Sequence, residues 1–60
     1  MKPSELKKYL AKRGIKIIEI RHGAKHDMWI TEDGAFSRIP RHAKELNPNT
    51  LSDILKDFGL

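Results

Sequence analysis

The sequence predicts a small α+β domain with the element order α-β-β-β-α, in which a helix at each end flanks three antiparallel strands. Each end of the chain carries apolar residues at helical spacing, and the segment between them is rich in β-branched residues that alternate with polar ones. An Asp-Gly dipeptide within that segment is typical of a hairpin turn. Because both helices must bury their apolar stripes, we expect them to pack on one face of the three-stranded sheet.

The size and composition of the chain limit it to one domain. With 60 residues it can form only a thin core, and without cysteine it can reinforce that core with neither a disulfide nor a thiolate metal site. No apolar run approaches the roughly 20 residues of a membrane span, and no signal-peptide core follows the N-terminal residues. We therefore expect a single domain over residues 1–60, with no membrane contact and a cytoplasmic location.

The first helix is predicted to begin at Glu5 and to end at Arg13. Ser4 precedes it as a candidate N-cap, and Gly14 follows it at a position where positive φ is common. Its apolar residues recur at i, i+3 and i+4 and form one narrow stripe, Leu6, Tyr9 and Leu10.

Three strands are predicted at residues 15–21, 26–31 and 35–39. In the first, Ile18 and Ile20 alternate with charged residues, which predicts that these two isoleucines face inward. The preceding isoleucines are in the opposite phase, so the strand either contains a bulge or is partly covered on both faces. The third strand is expected to end before a proline, which lacks the N–H group that a sheet needs.

The middle strand places His26, Met28 and Ile30 on one face and Trp29 on the other. We expect Trp29 to lie partly exposed and to face Phe36 across the hairpin. Such an aromatic pair could stack on RNA bases, or it could pack against a protein partner. The sequence leaves both possibilities open.

The second helix is predicted from its start signal and its apolar repeat. Asn47 is a suitable N-cap and Pro48 suits the first helical position, while Gly59 ends the helix. Apolar residues recur at i, i+3, i+4 and i+7, namely Leu51, Ile54, Leu55 and Phe58. Residues 41–46 have no clear periodicity and are predicted to form a loop.

The positive charge of the chain is concentrated in its first half. The net charge is +4, and residues 1–31 carry eight Lys and Arg against three acidic residues, whereas residues 32–60 carry four against five. A basic surface on a small domain attracts polyanions, of which phosphate backbones are the commonest inside cells. Charge alone leaves nucleic-acid binding and a lysine-rich solvated surface as equal alternatives.

Three histidines, His22, His26 and His42, could transfer protons near neutral pH. RNA carries its own nucleophile in the 2′-hydroxyl, so a ribonuclease needs a base, an acid and cations that stabilise the phosphorane. His26 begins a predicted strand directly after a glycine-containing turn and next to Lys25. These features allow catalysis by His26, although by themselves they favour a histidine without a catalytic role, and more so for the other two.

No pattern for a metal or cofactor site accompanies these histidines. The His-x-x-x-His spacing of His22 and His26 brings two ligands together on a helix, whereas Gly23 and the flanking strands make a helix unfavourable here. The chain contains no P-loop, no dinucleotide-binding glycine motif and no Ser-His-Asp arrangement. The sequence therefore predicts neither a metal nor a cofactor.

Four segments of the chain carry short motifs whose order and spacing can be compared with those of known families. They are the opening helix from Lys2 to Gly14, the Gly-Ala-Lys-His turn at residues 23–26, the Ile-Pro-Arg-His segment at residues 39–42 and the closing segment from Lys44 to Leu60. In order and spacing they resemble the HicA family of bacterial and archaeal toxins over almost the whole chain.

The resemblance implies a double-stranded-RNA-binding-domain-like fold, cleavage of messenger RNA and inhibition by a cognate HicB antitoxin that occludes the site. It transfers the catalytic role to His26 alone. Many members of the family carry a serine-histidine or a doubled histidine in this turn, whereas here Ala24 and Lys25 precede a single histidine. The helper residues of the family are therefore not carried over.

On this basis we hypothesise that His26 acts as general base or acid in the transesterification of single-stranded messenger RNA. The toxin alone is expected to be a monomer that forms a hetero-oligomer with its antitoxin. Phosphate contacts are predicted for five basic residues, Lys25, Lys7, Lys8, Lys12 and Arg38.

The sequence also allows two alternatives to a ribonuclease. A non-catalytic RNA-binding module of the same fold would bind RNA in a salt-dependent manner without cleaving it. A protein-interaction domain would dock a partner through an exposed Trp29.

Overall fold

The computed structural model describes all residues from Met1 to Leu60 and confirms the predicted element order. Three antiparallel strands form one sheet in the order β1-β2-β3. Both helices pack on the same face of this sheet, as the shared core shows. The bounds of the elements are α1 Pro3–Lys12, β1 Ile17–His22, β2 His26–Thr31, β3 Phe36–Pro40 and α2 Pro48–Asp57.

The core lies between the helices and the covered face of the sheet. Trp29 is only 5% exposed and belongs to this core, so the expectation of a partly exposed tryptophan is wrong. The helices cover the face of β2 that carries Trp29, and they leave Met28 and Ile30 half-buried on the other face. The seven buried apolar residues are Leu6, Leu10, Trp29, Ile39, Leu46, Ile54 and Phe58.

The predicted pairing of Trp29 with Phe36 is also wrong. Trp29 lies opposite Ser37, and Phe36 lies opposite Ile30. Neighbouring residues of a strand point to opposite faces, so this register puts the two aromatic side chains on opposite sides of the sheet. Phe36 is 57% exposed on the face without helices.

Helix α1 begins two residues earlier than predicted. Pro3 occupies the first helical position, and the backbone N–H of Lys2 donates to the Glu5 carboxylate at 3.0 Å. A proline at this position and a glutamate two residues later both stabilise a helix start. Ser4 therefore lies inside the first turn, and its predicted role as N-cap is wrong.

Strand β1 contains the bulge that the out-of-phase isoleucines predicted. The register shifts between Ile17 and Glu19, so that Ile18 has no partner on β2 and is 57% exposed. The prediction that Ile18 faces inward is therefore wrong, because the extra residue reverses the alternation at this point. Ile17 and Ile20 pack against the core instead.

Strand β3 is an edge strand that extends one residue further than predicted. The N–H of Arg41 donates to the carbonyl of Lys25 at 3.0 Å, so the nitrogen of the preceding Pro40 points away from β2. A proline is tolerated at such an edge position because the missing N–H would bond to no strand.

Helix α2 has the predicted cap and packs against β3. The side-chain oxygen of Asn47 accepts from the N–H of Thr50 at 2.8 Å, and Pro48 occupies the first helical position. At the other end of the helix, the buried hydroxyl of Ser37 donates to Asp57 at 2.8 Å. The Ser37–Asp57 hydrogen bond joins the end of the helix to the edge strand β3.

Candidate functional site

The face of the sheet away from the helices is open, and its side chains form cross-strand rows. In the middle row, Met28 of β2 lies opposite Arg21 of β1 and Arg38 of β3. Both arginines are exposed, while Met28 is half-buried between them. Two cations therefore stand on either side of an apolar floor on this open face.

His26 occupies the next row at the start of β2. It is exposed and lies opposite Pro40 of β3. Arg38 precedes Pro40 by two residues and is therefore the diagonal neighbour of His26 on the same face, at a typical Cα separation of about 7–8 Å. This register brings together His26 and Arg38, two predicted site residues that belong to separate strands.

A shallow depression of about 370 Å³ lies beside the turn that connects β1 to β2. Lys25, His26 and Arg38, three of the six predicted site residues, line this depression together. Arg21, which is not among the predicted site residues, also lines it. The alternation of Arg21 with Ile20 was the available signal, but the register of β1 against β2 was needed to place the arginine there.

Arg21 is held in place by an acidic neighbour on the same strand. Its Nε donates to the Glu19 carboxylate at 2.6 Å, and this hydrogen bond raises the pKa of Arg21 above its usual value. The pair is exposed to solvent, so it orients the guanidinium more than it stabilises the fold. The free N–H groups of Arg21 remain available to a phosphate.

The turn before His26 requires glycine at position 23. The N–H of Gly23 donates to the carbonyl of His26 at 2.9 Å, which closes the turn. A Cβ atom at Gly23 would lie 2.6 Å from that same carbonyl oxygen, closer than such contacts occur. The absence of a side chain thus allows the backbone to approach His26 directly.

Arg41 holds the same turn from the end of β3. Its Nη1 donates to the carbonyl of Gly23 at 2.9 Å, and its backbone N–H donates to the carbonyl of Lys25. Its Nε lies 3.7 Å from Asp27 Oδ1, which is also 3.0 Å from Nδ1 of His22. His22 is therefore engaged by Asp27, and Arg41 connects both sides of the turn to the strand that carries Arg38.

The three lysines predicted on the first helix lie elsewhere. Lys7, Lys8 and Lys12 are exposed on α1, which covers the opposite face of the sheet from His26. Lys7 lines a separate depression with Lys16, at the edge of the sheet that β1 forms. None of the three lines the depression with His26, so the predicted phosphate contacts of these lysines require RNA that extends around the domain.

A second and larger groove, of about 770 Å³, runs between β3 and α2. His26 and Arg38 lie where this groove meets the first depression, and Phe36 lines its far end. The helix side of the groove carries two carboxylates, those of Asp53 and Asp57. Within this groove, the positive charge of Arg38 lies on the sheet side and the negative charges of Asp53 and Asp57 lie on the helix side.

The arrangement can bind phosphate and transfer a proton beside it. Lys25 and Arg38 supply cations next to the exposed imidazole of His26, which can accept or donate a proton. His42, in the loop after β3, is exposed and does not line this depression. The chain contains no group of three or more His, Cys, Asp or Glu side chains that could hold a metal ion, and neither helix is long and apolar enough to cross a membrane.

Comparison with known proteins identifies the family. No curated protein and no solved structure matches the chain significantly. A protein-family model described as the HicA toxin of bacterial toxin-antitoxin matches residues 3–60, which is nearly the whole chain. The chain therefore belongs to the HicA family of toxins of bacterial toxin–antitoxin systems.

Proposed function

We propose that the protein is an endoribonuclease that cleaves messenger RNA and thereby inhibits translation and growth. The observation that carries this proposal is the exposed His26 in one depression with Lys25 and Arg38, in a chain that belongs to a toxin family. An imidazole beside two cations matches what cleavage by the RNA 2′-hydroxyl requires.

In the proposed reaction, neutral His26 accepts the proton of the 2′-hydroxyl as its oxygen attacks the adjacent phosphorus. The bond from phosphorus to the 5′-oxygen breaks, and that oxygen takes a proton from the imidazolium or from water. The products are a 2′,3′-cyclic phosphate and a 5′-hydroxyl. Arg38 and Lys25 stabilise the negative charge that develops on the phosphorane.

Toxins of this family act within toxin–antitoxin systems, so membership implies a cognate antitoxin. We propose that a HicB-type antitoxin inhibits the protein by covering the depression around His26, that the toxin alone is a monomer, and that it acts in the cytoplasm. The depression is shallow and open, so a partner can cover it without entering a deep cleft.

Induced expression in bacteria tests the catalytic assignment. The wild type should arrest growth and degrade messenger RNA, whereas His26→Ala should do neither, because it removes the only histidine of the depression whose side chain is not engaged by Asp27. His42→Ala is the matched control, since His42 is exposed and lies outside the depression. Equal growth arrest by the wild type and His26→Ala would remove His26 from the mechanism.

A non-catalytic RNA-binding module is the second candidate, and one observation favours it. The His26 side chain makes no hydrogen bond to a carboxylate that could orient it, although the cations around it would still bind RNA. This candidate predicts salt-dependent RNA binding without cleavage. Intact RNA after prolonged incubation with the wild type would support it.

A further inference from the structure

Phe36 is a large aromatic residue on the surface that the core does not use. It is 57% exposed, and it lies at the start of the edge strand β3. Its partner on β2 is Ile30, which is half-buried and forms an apolar neighbour on the open face. An exposed ring on such a face is free to contact a ligand through its π surface.

The strand geometry relates Phe36 to the proposed reaction site. Phe36, Arg38 and Pro40 alternate along β3 and so share the open face. Two residues along a strand advance by about 6.8 Å, and His26 lies one further row on, opposite Pro40. The ring and the guanidinium therefore follow one another along the edge strand β3, and the imidazole lies one row further on, on the neighbouring strand β2.

The charged residues near Phe36, Arg38 and His26 indicate which class of ligand can bind there. Arg21 and Arg38 flank the centre of the open face, whereas Asp53 and Asp57 line the groove on the side of α2. Phe36, Arg38 and His26 also line this groove, so a phosphate backbone is attracted to the arginines on its sheet side and repelled by the carboxylates on its helix side. Arg21 is paired with Glu19, but Arg38 forms no ion pair, so an apolar protein partner would have to bury the Arg38 guanidinium without an acidic partner on this chain.

We propose that single-stranded RNA crosses the open face along β3, with one base stacked on Phe36 about one or two nucleotides from the phosphate at His26. The proposal rests on the proposed ribonuclease function for the identity of that phosphate. Stacking needs an unpaired base, so the subsite selects single-stranded over double-stranded RNA. It tolerates any base, because every base presents a π face.

The test measures binding in a His26→Ala background, which separates it from cleavage. A dye-labelled single-stranded oligoribonucleotide is titrated with protein, and the affinity is read from fluorescence anisotropy. Phe36→Ala and Phe36→Leu should each weaken binding about 5- to 20-fold, while Phe36→Tyr and Phe36→Trp stay within about twofold. Phe36 is exposed, so these variants should fold, and thermal unfolding checks that they do.

The leucine variant distinguishes stacking from plain apolar contact. If Phe36→Leu binds as tightly as the parent, stacking is refuted. An oligonucleotide with one abasic nucleotide, moved along the sequence, provides the second readout: at one position the loss caused by Phe36→Ala should vanish. Loss that persists at every abasic position would also overturn the proposal.

Two further outcomes distinguish the RNA subsite from a protein interface and from the proposed ribonuclease function. If the Phe36 variants leave RNA affinity unchanged, the RNA subsite is wrong; if the protein also proves to self-associate in sedimentation and the variants abolish that association, the face is an interface between copies of the chain. If the protein with His26 intact never cleaves RNA, yet binding depends on the aromatic ring, the stacking subsite stands and the ribonuclease function falls.

Discussion

Removal of the Arg41 guanidinium should loosen the turn that carries His26. Arg41 makes one charge-assisted hydrogen bond, to the carbonyl of Gly23 at 2.9 Å, and a longer contact to Asp27 at 3.7 Å. Hydrogen bonds to charged groups contribute about 1.5–3 kcal/mol when they are shielded from water. Because the Arg41 side chain is 39% exposed, we expect Arg41→Met to lower the free energy of unfolding by about 1 kcal/mol.

This loss is measurable in a domain of this size. A decrease of 1 kcal/mol lowers the thermal midpoint of a 60-residue domain by about 4–8 °C, which circular dichroism resolves. At temperatures where the variant remains folded, its RNA cleavage should still fall about tenfold, with the loss in kcat and little change in KM, because Arg41 positions His26 without lining its depression.

Two variants control for the loss of charge and of size. Lys44→Met removes a positive charge from the same loop and should leave both the thermal midpoint and the cleavage rate unchanged. Arg41→Lys keeps the charge but lacks the guanidinium fork, so it should restore only part of the wild-type behaviour. A thermal midpoint for Arg41→Met equal to that of the wild type would refute the role of Arg41 in holding the turn.

Three other perturbations follow from local contacts. Gly23→Ala should lower the thermal midpoint by at least 5 °C and reduce the proposed RNA cleavage, because the new Cβ would lie 2.6 Å from the His26 carbonyl oxygen. A thermal midpoint equal to that of the wild type would contradict this close approach. Asn47→Ala removes the acceptor for the Thr50 N–H and should cost about 1 kcal/mol in urea unfolding without altering the cleavage rate of the folded protein. The N-terminal amine lowers the pKa of Glu45, so this pair stabilises the fold above the usual glutamate pKa, and the stabilisation is lost as pH falls through the lowered value. Glu45→Gln should therefore weaken the acid dependence of stability, and an unchanged profile would show that the pair contributes nothing.

Local signals predicted helix α2 well. Asn47 and Pro48 fix the start of the helix, and its four apolar residues recur at helical spacing, so its bounds depend on no distant contact. The same holds for β2, which occupies the predicted residues from His26 to Thr31. These elements were predictable because the residues that define them are neighbours along the chain.

The choice of sheet face was not predictable in the same way. Alternation shows that Trp29 and Met28 lie on opposite faces, but only helix packing decides which face is buried. At Ile18 a bulge reverses the alternation, so this isoleucine is exposed, although its alternation with charged residues predicted that it faces inward. Both errors concern contacts between elements that are distant in sequence.

The residues of the candidate site also differ in how far the sequence could predict their proximity. Lys25 and His26 are adjacent in sequence, and their proximity follows directly. Arg38 and Arg21 join them only through the register of the sheet, and Arg41 reaches Gly23 across 18 residues. The charge pattern could indicate a basic surface but could not separate these arginines from the lysines on the far side of the domain.

The most direct test of the proposed role of His26 is to incubate a defined single-stranded RNA with purified protein and to identify the end groups of the products. Wild-type protein should produce fragments with 2′,3′-cyclic phosphate and 5′-hydroxyl ends, and one 2′-deoxynucleotide at the cleavage position should abolish cutting there. His26→Ala, purified identically, should leave the RNA intact while still binding it. Cleavage by His26→Ala at the wild-type rate, or cleavage next to the 2′-deoxynucleotide, would contradict transesterification by His26.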